Sequence, residues 1–242
     1  MKIINDVIIP QWPAPSHVYA AMSTRLTSPG VSQAPFNRFN LGDHVHDKPE
    51  HVAQNRKSWG ACMQALCTSE SIGPISLNMK YLNQVHGTDI AYIEPGITDL
   101  YQADACFTDI LLQSCTIMIA DCLPVLFCTQ DGQMVAAAHA GWRGLQGGVL
   151  EATVAKLEAQ HKALASKGSE KIYAWLGPCI GPQAFEVGEE VLDAFLASDL
   201  KNASKINYAR FFQKQENGKL KADLAGIARE KLEQNKNILF LN

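Results

Sequence analysis

The feature that most constrains the fold is a pair of short apolar runs separated by an Asp-Gly turn. Residues 125–129 and 134–139 are strand-sized and apolar, and Asp131-Gly132 lies between them. An Asp-Gly dipeptide between two such runs predicts a β-hairpin, because tight hairpin turns need the positive φ that glycine adopts easily. The second strand of this hairpin is expected to end at His139, just before the glycine-rich stretch "AGWRG".

Other strand-like runs alternate with turns and helical stretches. Strands are predicted at residues 81–85, 90–93, 103–108, 116–120 and 172–176. Helices are predicted from Asp47, which can cap, with Val52, Trp59 and Met63 on one face, then after residue 144, at 187–196 and at 220–234. Neighbouring strands joined by short turns favour a mixed β-sheet layered with helices. We therefore expect an α+β fold in one domain covering residues 1–242.

Charge and cysteine usage exclude several classes of protein. The net charge is −3 and basic clusters are missing, which argues against a nucleic-acid partner. The proline-interrupted N-terminus does not resemble a signal peptide, and no apolar run reaches membrane-spanning length, so no membrane association is expected. Seven cysteines without a CxxC pair are typical of a reducing compartment. A cytoplasmic location is predicted.

Three stretches place a side chain that can bind a metal where a predicted strand stops. They are "LNQVHG" with His86, "MIADCLPVLF" with Asp121 and Cys122, and "AAAHAGWRG" with His139. Two imidazoles and a thiolate suit zinc, and a catalytic zinc site keeps three protein ligands and one open position. Their spacing matches no compact zinc signature. A lone histidine or cysteine at such a place is more often simply packed or hydrogen-bonded.

The same residues allow other interpretations. Cys122 is the nucleophile of a Cys/His hydrolase if Asp121 orients the base. With Met118 as a weak axial ligand, the His₂Cys set resembles a blue-copper site. A structural site closed by Cys179 would make the chain an interaction module.

The remaining histidines and cysteines are given structural roles. We expect His17 and His161 at the surface and the His44/His46 pair in loop structure. The other cysteines are expected to be small core residues: Cys62, Cys67, Cys106, Cys115 and Cys128.

Two arginines are candidates for binding an anion. Arg56 lies on the first predicted helix, and Arg143 lies in a glycine-rich turn that leads into the next helix. A helix N-terminus approached through glycines favours phosphate or carboxylate. A simple structural ion pair is an equally good explanation for each arginine.

Seven motifs taken together resemble one family. "STR", "FNLGDHVHDKPEHVAQNR", "NQVHG", "ADACFTD", "ADCLPVLF", "AAAHAGWRG" and "WLGPCIGPQAFEVGEEV" are similar to the YfiH-like laccase-domain family. The resemblance runs from about residue 8 to the last helix. It implies the α+β fold shared with the catalytic domain of cytotoxic necrotising factor toxins. It also implies that His86, Cys122 and His139 bind a catalytic zinc and that Arg56 faces the substrate.

The family resemblance implies purine nucleosides and phosphate as substrates. Members are credited with phosphorolysis of adenosine, inosine, guanosine and methylthioadenosine, and with adenosine deamination, for which Asp121 is the candidate general acid or base. Copper-dependent polyphenol oxidation and editing of peptidoglycan precursors are the alternatives. Seven histidines with one His-x-His pair are too few for a multicopper cluster, although one copper ion fits the His₂Cys set. Family members continue with a Cys-Thr segment and a "SYRRD"-like strand where this chain ends at "NILFLN", so contacts from that segment are expected to be absent.

Overall fold

A computed structural model describes residues 2–4, 6–68, 76–96, 101–164, 171–202 and 206–240. The strands are β1 Lys2–Ile4, β2 Val7–Ile9, β3 Met22–Ser23, β4 Asn78–Lys80, β5 Ile90–Tyr92, β6 Ala105–Thr108, β7 Gln113–Cys115, β8 Leu123–Thr129, β9 Val135–Ala140, β10 Ile172–Leu176, β11 Glu186–Val187, β12 Phe212–Lys214, β13 Leu220–Ala222 and β14 Ile238–Phe240. The helices are α1 Pro49–Cys67, α2 Trp142–Gly147, α3 Val149–Ala163, α4 Glu189–Asn202 and α5 Leu224–Glu233, and a 3₁₀ turn covers Tyr208–Phe211.

The central element is a six-stranded mixed sheet in the order β14-β10-β8-β9-β6-β5. The outer pairs β10/β14 and β5/β6 are parallel, and the inner pairs are antiparallel. Small sheets of two or three strands form from β1-β2-β3, β11-β13-β12 and β4-β7. The prediction of an α+β fold with a mixed sheet layered with helices is confirmed.

The predicted hairpin forms, and it fixes the geometry of the site. Strands β8 and β9 pair from Leu123 with Ala140 to Cys128 with Val135, and Gly132 in the turn has a φ of 73°. This register places residue 122, just before β8, beside the end of β9. The alanines of β9 are almost fully buried, and α3 packs against this strand. Small side chains there allow the helix and the sheet to approach closely.

Two predicted strands near the site are wrong. Residues 81–85 do not form a strand. Strand β4 ends at Lys80, and only an isolated bridge from Asn83 to Gln102 follows it. Residues 116–120 do not form a strand either, because β7 ends at Cys115. Where the two segments lie side by side, the Gln84 side chain makes the hydrogen bonds to the Met118 backbone that a neighbouring strand would make.

Three smaller predictions also need correction. Lys48, not Asp47, occupies the N-cap position of α1 and makes no side-chain capping bond, and the Asp47 carboxylate accepts hydrogen bonds from Ser32 and Asn40 instead. The helix predicted from residue 220 begins only at Leu224, since β13 precedes it. His161 is buried, and its Nε2 lies 2.7 Å from an Asp131 carboxylate oxygen.

Apolar residues form the main core between the central sheet and helices α3, α4 and α5. Val52, Trp59 and Met63 are buried on one face of α1, as predicted. Cys106 and Cys128 are buried, whereas Cys62, Cys67 and Cys115 are half-buried. Among the described residues, no helix combines the length and the apolar character that crossing a membrane requires.

Candidate metal centre

The structure brings His86, Cys122 and His139 together from three parts of the chain. Their ligand atoms all lie within 4.8 Å of one another. The Nε2 atom of His86 lies 3.8 Å from the Cys122 Sγ atom, and the two imidazole rings meet edge-on with centroids 4.7 Å apart. Nitrogen and sulfur ligands of a tetrahedral zinc ion stand about 3.6 Å apart, given the usual bond lengths. The three donors therefore fit one metal ion.

The hairpin explains why two of the three donors are neighbours. Cys122 immediately precedes β8, and His139 pairs with Pro124 in the register of β8 and β9. Gly141, just after β9, leaves room for the group: a Cβ atom there would lie 2.7 Å from His86 Cδ2 and 3.1 Å from Cys122 Sγ. A larger residue at position 141 would occupy the space that the donors share.

The backbone at the site is held in an unusual conformation. His86 has a φ of 61° and Asp121 a φ of 75°, in the left-handed region that residues with a Cβ atom rarely adopt. Such conformations persist only where surrounding contacts hold them. For His86 those contacts come from Asp104.

Asp104 is the residue that assembles the histidines. Its carboxylate is fully buried and accepts hydrogen bonds from the backbone N–H groups of Val85, His86 and Gly87, at 3.1, 2.8 and 2.6 Å. The same carboxylate lies 2.8 Å from His139 Nδ1. Because a carboxylate only accepts, Nδ1 carries the hydrogen and Nε2 is left free for a metal. A carboxylate behind a histidine is a common feature of metal sites.

Electrostatics at the site follow from Asp104. Burial lowers the pKa of His139, but its hydrogen bonds with Asp104 and Cys122 outweigh burial and raise it to about 9. The carboxylate therefore stabilises a positive charge at this imidazole, whether a proton or a metal ion supplies it. The pKa of His86 is lowered, first by burial and then by the neighbouring His139, with Asp104 opposing both.

The three donors lie on the wall of a cleft of about 720 Å³. The wall is mainly apolar and includes Trp59, Met79, Ile117 and Trp175. A cleft of this size, lined by apolar side chains with a few converging polar groups, is typical of a small-molecule site. A small molecule bound in the cleft would lie beside the donor group.

The arginines are placed differently from one another. Arg143 is exposed, stacks on the Trp142 ring, and lies close enough to lower the pKa of His86. The guanidinium of Arg56 donates to the Leu41 carbonyl at 2.8 Å, pairs with Asp43 at 3.2 Å, and covers the Tyr81 ring.

Neither Arg56 nor Arg143 lies on the described wall of the cleft, but Arg25 does. Arg25 belongs to the "STR" motif and donates two hydrogen bonds to the Asn37 carbonyl. No role was predicted for Arg25 from the sequence.

Other candidate residues stay outside the donor group. Asp121 is exposed, and its carbonyl accepts a hydrogen bond from the Ile180 N–H at 2.8 Å. Cys179 does not join the three donors, and its Sγ lies 3.5 Å from the Ile180 carbonyl, so the described residues form no four-ligand site. His44 is exposed on the cleft wall, and His46 is exposed.

Sequence reasoning missed Asp104, although the motif "ADACFTD" contained it. The available signal was chemical: a metal-binding histidine often has a carboxylate partner, and Asp104 immediately precedes β6, which pairs with the strand carrying His139. Gln84 was also missed. Its signal was weaker, since a glutamine near a strand end is ordinarily a surface residue.

Comparison with known proteins identifies the family of the chain. Residues 19–237 match the family described as multi-copper polyphenol oxidoreductase laccase. The chain is 42% identical over 229 residues to the purine nucleoside phosphorylase YfiH of Escherichia coli, and equally similar over 229 residues to a purine nucleoside phosphorylase of Pseudomonas aeruginosa. Each alignment covers 95% of this chain and 83% of the relative.

Solved structures show the same fold. A crystal structure of a Neisseria meningitidis protein superposes with a TM-score of 0.76 at 37% identity, covering 97% of this chain and 86% of that one. YlmD of Geobacillus stearothermophilus superposes with a TM-score of 0.73 at 26% identity, covering 93% and 81%. On the sequence match, the relatives and the fold, the chain belongs to the multi-copper polyphenol oxidoreductase laccase family.

Proposed function

We propose that this protein is a zinc-dependent purine nucleoside phosphorylase that acts on adenosine, inosine, guanosine and methylthioadenosine. The observation that carries the proposal is the His86, Cys122 and His139 group on the wall of a large apolar cleft. An apolar cleft suits a purine ring, and the polar group suits the ribose and phosphate beside it. The relatives named purine nucleoside phosphorylase support the same activity.

In phosphorolysis, a phosphate oxygen forms a bond to C1′ of the ribose while the C1′–N9 bond breaks. The purine leaves with the electron pair and takes up a proton, and the other product is ribose 1-phosphate. The chain must therefore hold the phosphate and the nucleoside close together and shield them from water. Arg143, exposed near His86, supports this role by neutralising phosphate charge. Arg56 remains the proposed substrate contact. Its hydrogen bond and ion pair hold the loop that contains Leu41 and Asp43.

Zinc is the metal that the donor set fits best. Two imidazole nitrogens and one thiolate are borderline and soft donors, which zinc accepts in tetrahedral geometry. Bound zinc would supply Lewis acidity and a fourth position for water or substrate. In the chain itself, Asp104 fixes the His139 tautomer and holds the backbone that carries His86.

We also propose adenosine deaminase activity at the same site. Water replaces the amino group of adenosine, so the products are inosine and ammonia. A residue must move a proton to the leaving nitrogen, and Asp121, adjacent to Cys122, is the candidate. Asp121 is exposed, so its carboxylate is accessible to solvent.

Multicopper oxidation is less well supported. A multicopper centre needs several groups of histidine ligands, and the described residues bring together one group of three donors. One copper ion bound by His86, Cys122 and His139 remains an alternative to zinc.

We propose a cytoplasmic location for the enzyme. All seven cysteines are free thiols, which supports a reducing compartment.

The decisive experiment assays Cys122→Ser with adenosine, with and without phosphate. The wild-type protein should release adenine and ribose 1-phosphate only with phosphate. It should form inosine in both conditions, and with phosphate part of that inosine should be converted to hypoxanthine. Cys122→Ser should lose at least about a hundredfold in both rates and lose its zinc, since a serine hydroxyl is a poor zinc ligand.

Cys62→Ser is the matched control, because Cys62 is half-buried on α1 away from the donors. It should keep the wild-type rates and metal content. Wild-type turnover by Cys122→Ser, with equal thermal stability of both variants, would overturn the proposal.

A further inference from the structure

The side chain of Gln84 connects the two segments that carry His86 and Cys122. Its Nε2 donates to the Met118 carbonyl at 2.7 Å, and its Oε1 accepts from the Met118 N–H at 2.7 Å. One amide therefore satisfies both backbone groups of one residue. Gln84 lies two residues before His86, and Met118 lies four residues before Cys122.

Backbone pairing between these segments stops before the site is reached. Strands β4 and β7 pair in parallel from Asn78 with Gln113 to Lys80 with Cys115. Beyond that point neither segment continues as a strand, and the Gln84 amide bonds Met118 as a neighbouring backbone would. The link between Gln84 and Met118 is thus the last described hydrogen bond that joins the two segments before the two donors.

The position of Gln84 is fixed from the other side as well. The N–H of Asn83 donates to the Tyr101 carbonyl at 2.9 Å, and Ala103 N–H donates to the Asn83 carbonyl at 3.3 Å. Asp104 then holds the backbone of residues 85–87. Because its own backbone is held in this way, the Gln84 side chain holds Met118 in place. The residues between Met118 and Cys122 are thereby positioned as well.

We propose that Gln84 is a positioning residue that sets the distance between His86 and Cys122 and thereby the metal affinity of the site. The inference rests on the proposed metal centre. According to this inference, no other contact between the same two segments can replace Gln84 in this role. Residues that orient metal ligands from behind change metal affinity by about 10- to 100-fold when they are replaced.

The test compares Gln84→Met with Asn78→Leu. Both changes replace an amide by an apolar side chain of similar size. Asn78 Nδ2 donates to Gln113 Oε1 at 2.6 Å, so it joins the same two segments at their far end, away from the donors. The two variants should lose similar thermal stability. Only Gln84→Met should alter the metal site.

The readout is titration with Co²⁺, followed by the thiolate-to-cobalt charge-transfer band and by competition with a chelator. Gln84→Met should bind Co²⁺ about 10- to 100-fold more weakly than wild type, with a weaker or shifted thiolate band. Asn78→Leu should stay within about twofold of wild type in affinity. Gln84→Asn, whose amide is one methylene too short to reach Met118, should resemble Gln84→Met.

A Gln84→Met protein that binds Co²⁺ with the wild-type affinity and band would overturn the inference and leave the metal centre intact. Equal losses of affinity in Gln84→Met and Asn78→Leu would also overturn it, because the effect would then be general destabilisation. If wild type itself shows no thiolate band, the proposed metal centre fails, and this inference fails with it.

Discussion

Replacing Asp104 by asparagine tests how far one buried carboxylate assembles the candidate metal centre. Asp104 Oδ1 accepts from His86 N–H and lies 2.8 Å from His139 Nδ1, while Oδ2 accepts from the N–H groups of Val85 and Gly87. Asparagine keeps the shape of the side chain but turns one oxygen into an NH₂ group. Whichever carboxylate oxygen is replaced by NH₂, the two N–H groups that donated to that oxygen then face another hydrogen-bond donor.

The size of the effect follows from the number of donors left without an acceptor. Each buried polar group that loses its partner costs about 1–3 kcal/mol, so Asp104→Asn should lower the free energy of unfolding by about 2–6 kcal/mol. A domain whose stability exceeds about 6 kcal/mol, within the typical range of about 5–15 kcal/mol, remains folded after such a loss. The variant should therefore be available for binding measurements.

The metal site should weaken in either orientation of the new amide. With NH₂ at the Oδ1 position, His139 Nδ1 must give up its hydrogen, and Nε2 then carries it and no longer offers a lone pair to a metal. With NH₂ at the Oδ2 position, the backbone of residues 85–87 loses two hydrogen bonds and His86 is released. Zinc affinity should fall by about 10- to 100-fold, as for other carboxylates behind metal-binding histidines.

The assay combines urea denaturation with zinc titration against a chromophoric chelator. Asp89→Asn is the matched control, since Asp89 is exposed, lies near His86 in sequence, and loses the same charge. It should change the free energy of unfolding by less than about 0.5 kcal/mol. If Asp104→Asn keeps wild-type zinc affinity and loses less than about 1 kcal/mol, the reasoning from buried donors is refuted.

Three further predictions concern the site, the core and the pH dependence of stability. Gly141→Ala should lower zinc affinity about tenfold or more by pushing His86 away, and an unchanged chelator titration would contradict this. Phe195→Ala removes a fully buried ring and should lower the free energy of unfolding by about 3–5 kcal/mol in urea denaturation; a loss below about 1 kcal/mol would refute the described packing. Burial raises the pKa of Asp131, but its hydrogen bonds, first that from His161, outweigh burial and hold the pKa below its ordinary value. Its contribution to stability is therefore complete above that ordinary value and is lost as the pH falls through the folded-state pKa, so Asp131→Asn should be less stable at neutral pH and lose less stability below about pH 4 than wild type. Parallel stability curves between pH 3 and pH 7 would disprove this.

Local sequence signals predicted the elements whose formation follows from residue type and short-range periodicity. The Asp131-Gly132 hairpin forms, residues 172–176 form β10, and α1 buries the predicted face. Patterns failed where a side chain replaces a backbone partner. Residues 116–120 read as a strand because they are apolar, yet Gln84 takes the place of a neighbouring strand at Met118.

Motif resemblance named the donors, and the structure supplied their arrangement. The hairpin register already implies that Cys122 and His139 are neighbours. The place of His86 depends on Asp104, which accepts from backbone N–H groups, and every residue except proline carries such a group. Nothing in the side chains of residues 85–87 therefore reports the contact. The contacts of Arg56 could not be predicted from the sequence either. Its hydrogen bond to Leu41 and its ion pair with Asp43 depend on a loop that has no regular sequence pattern.

The sequence by itself predicted the fold class and the hairpin, because these depend on residue type and on short-range periodicity, and its resemblance to a known family named the three candidate donors. Only the tertiary structure decided how the donors meet, which carboxylate fixes His139, and which amide joins the segments leading to His86 and Cys122. The physical reason is that hydrogen bonds to backbone groups between distant segments leave no mark on the side chains of the residues whose backbone takes part in them. They become visible only when the chain has folded.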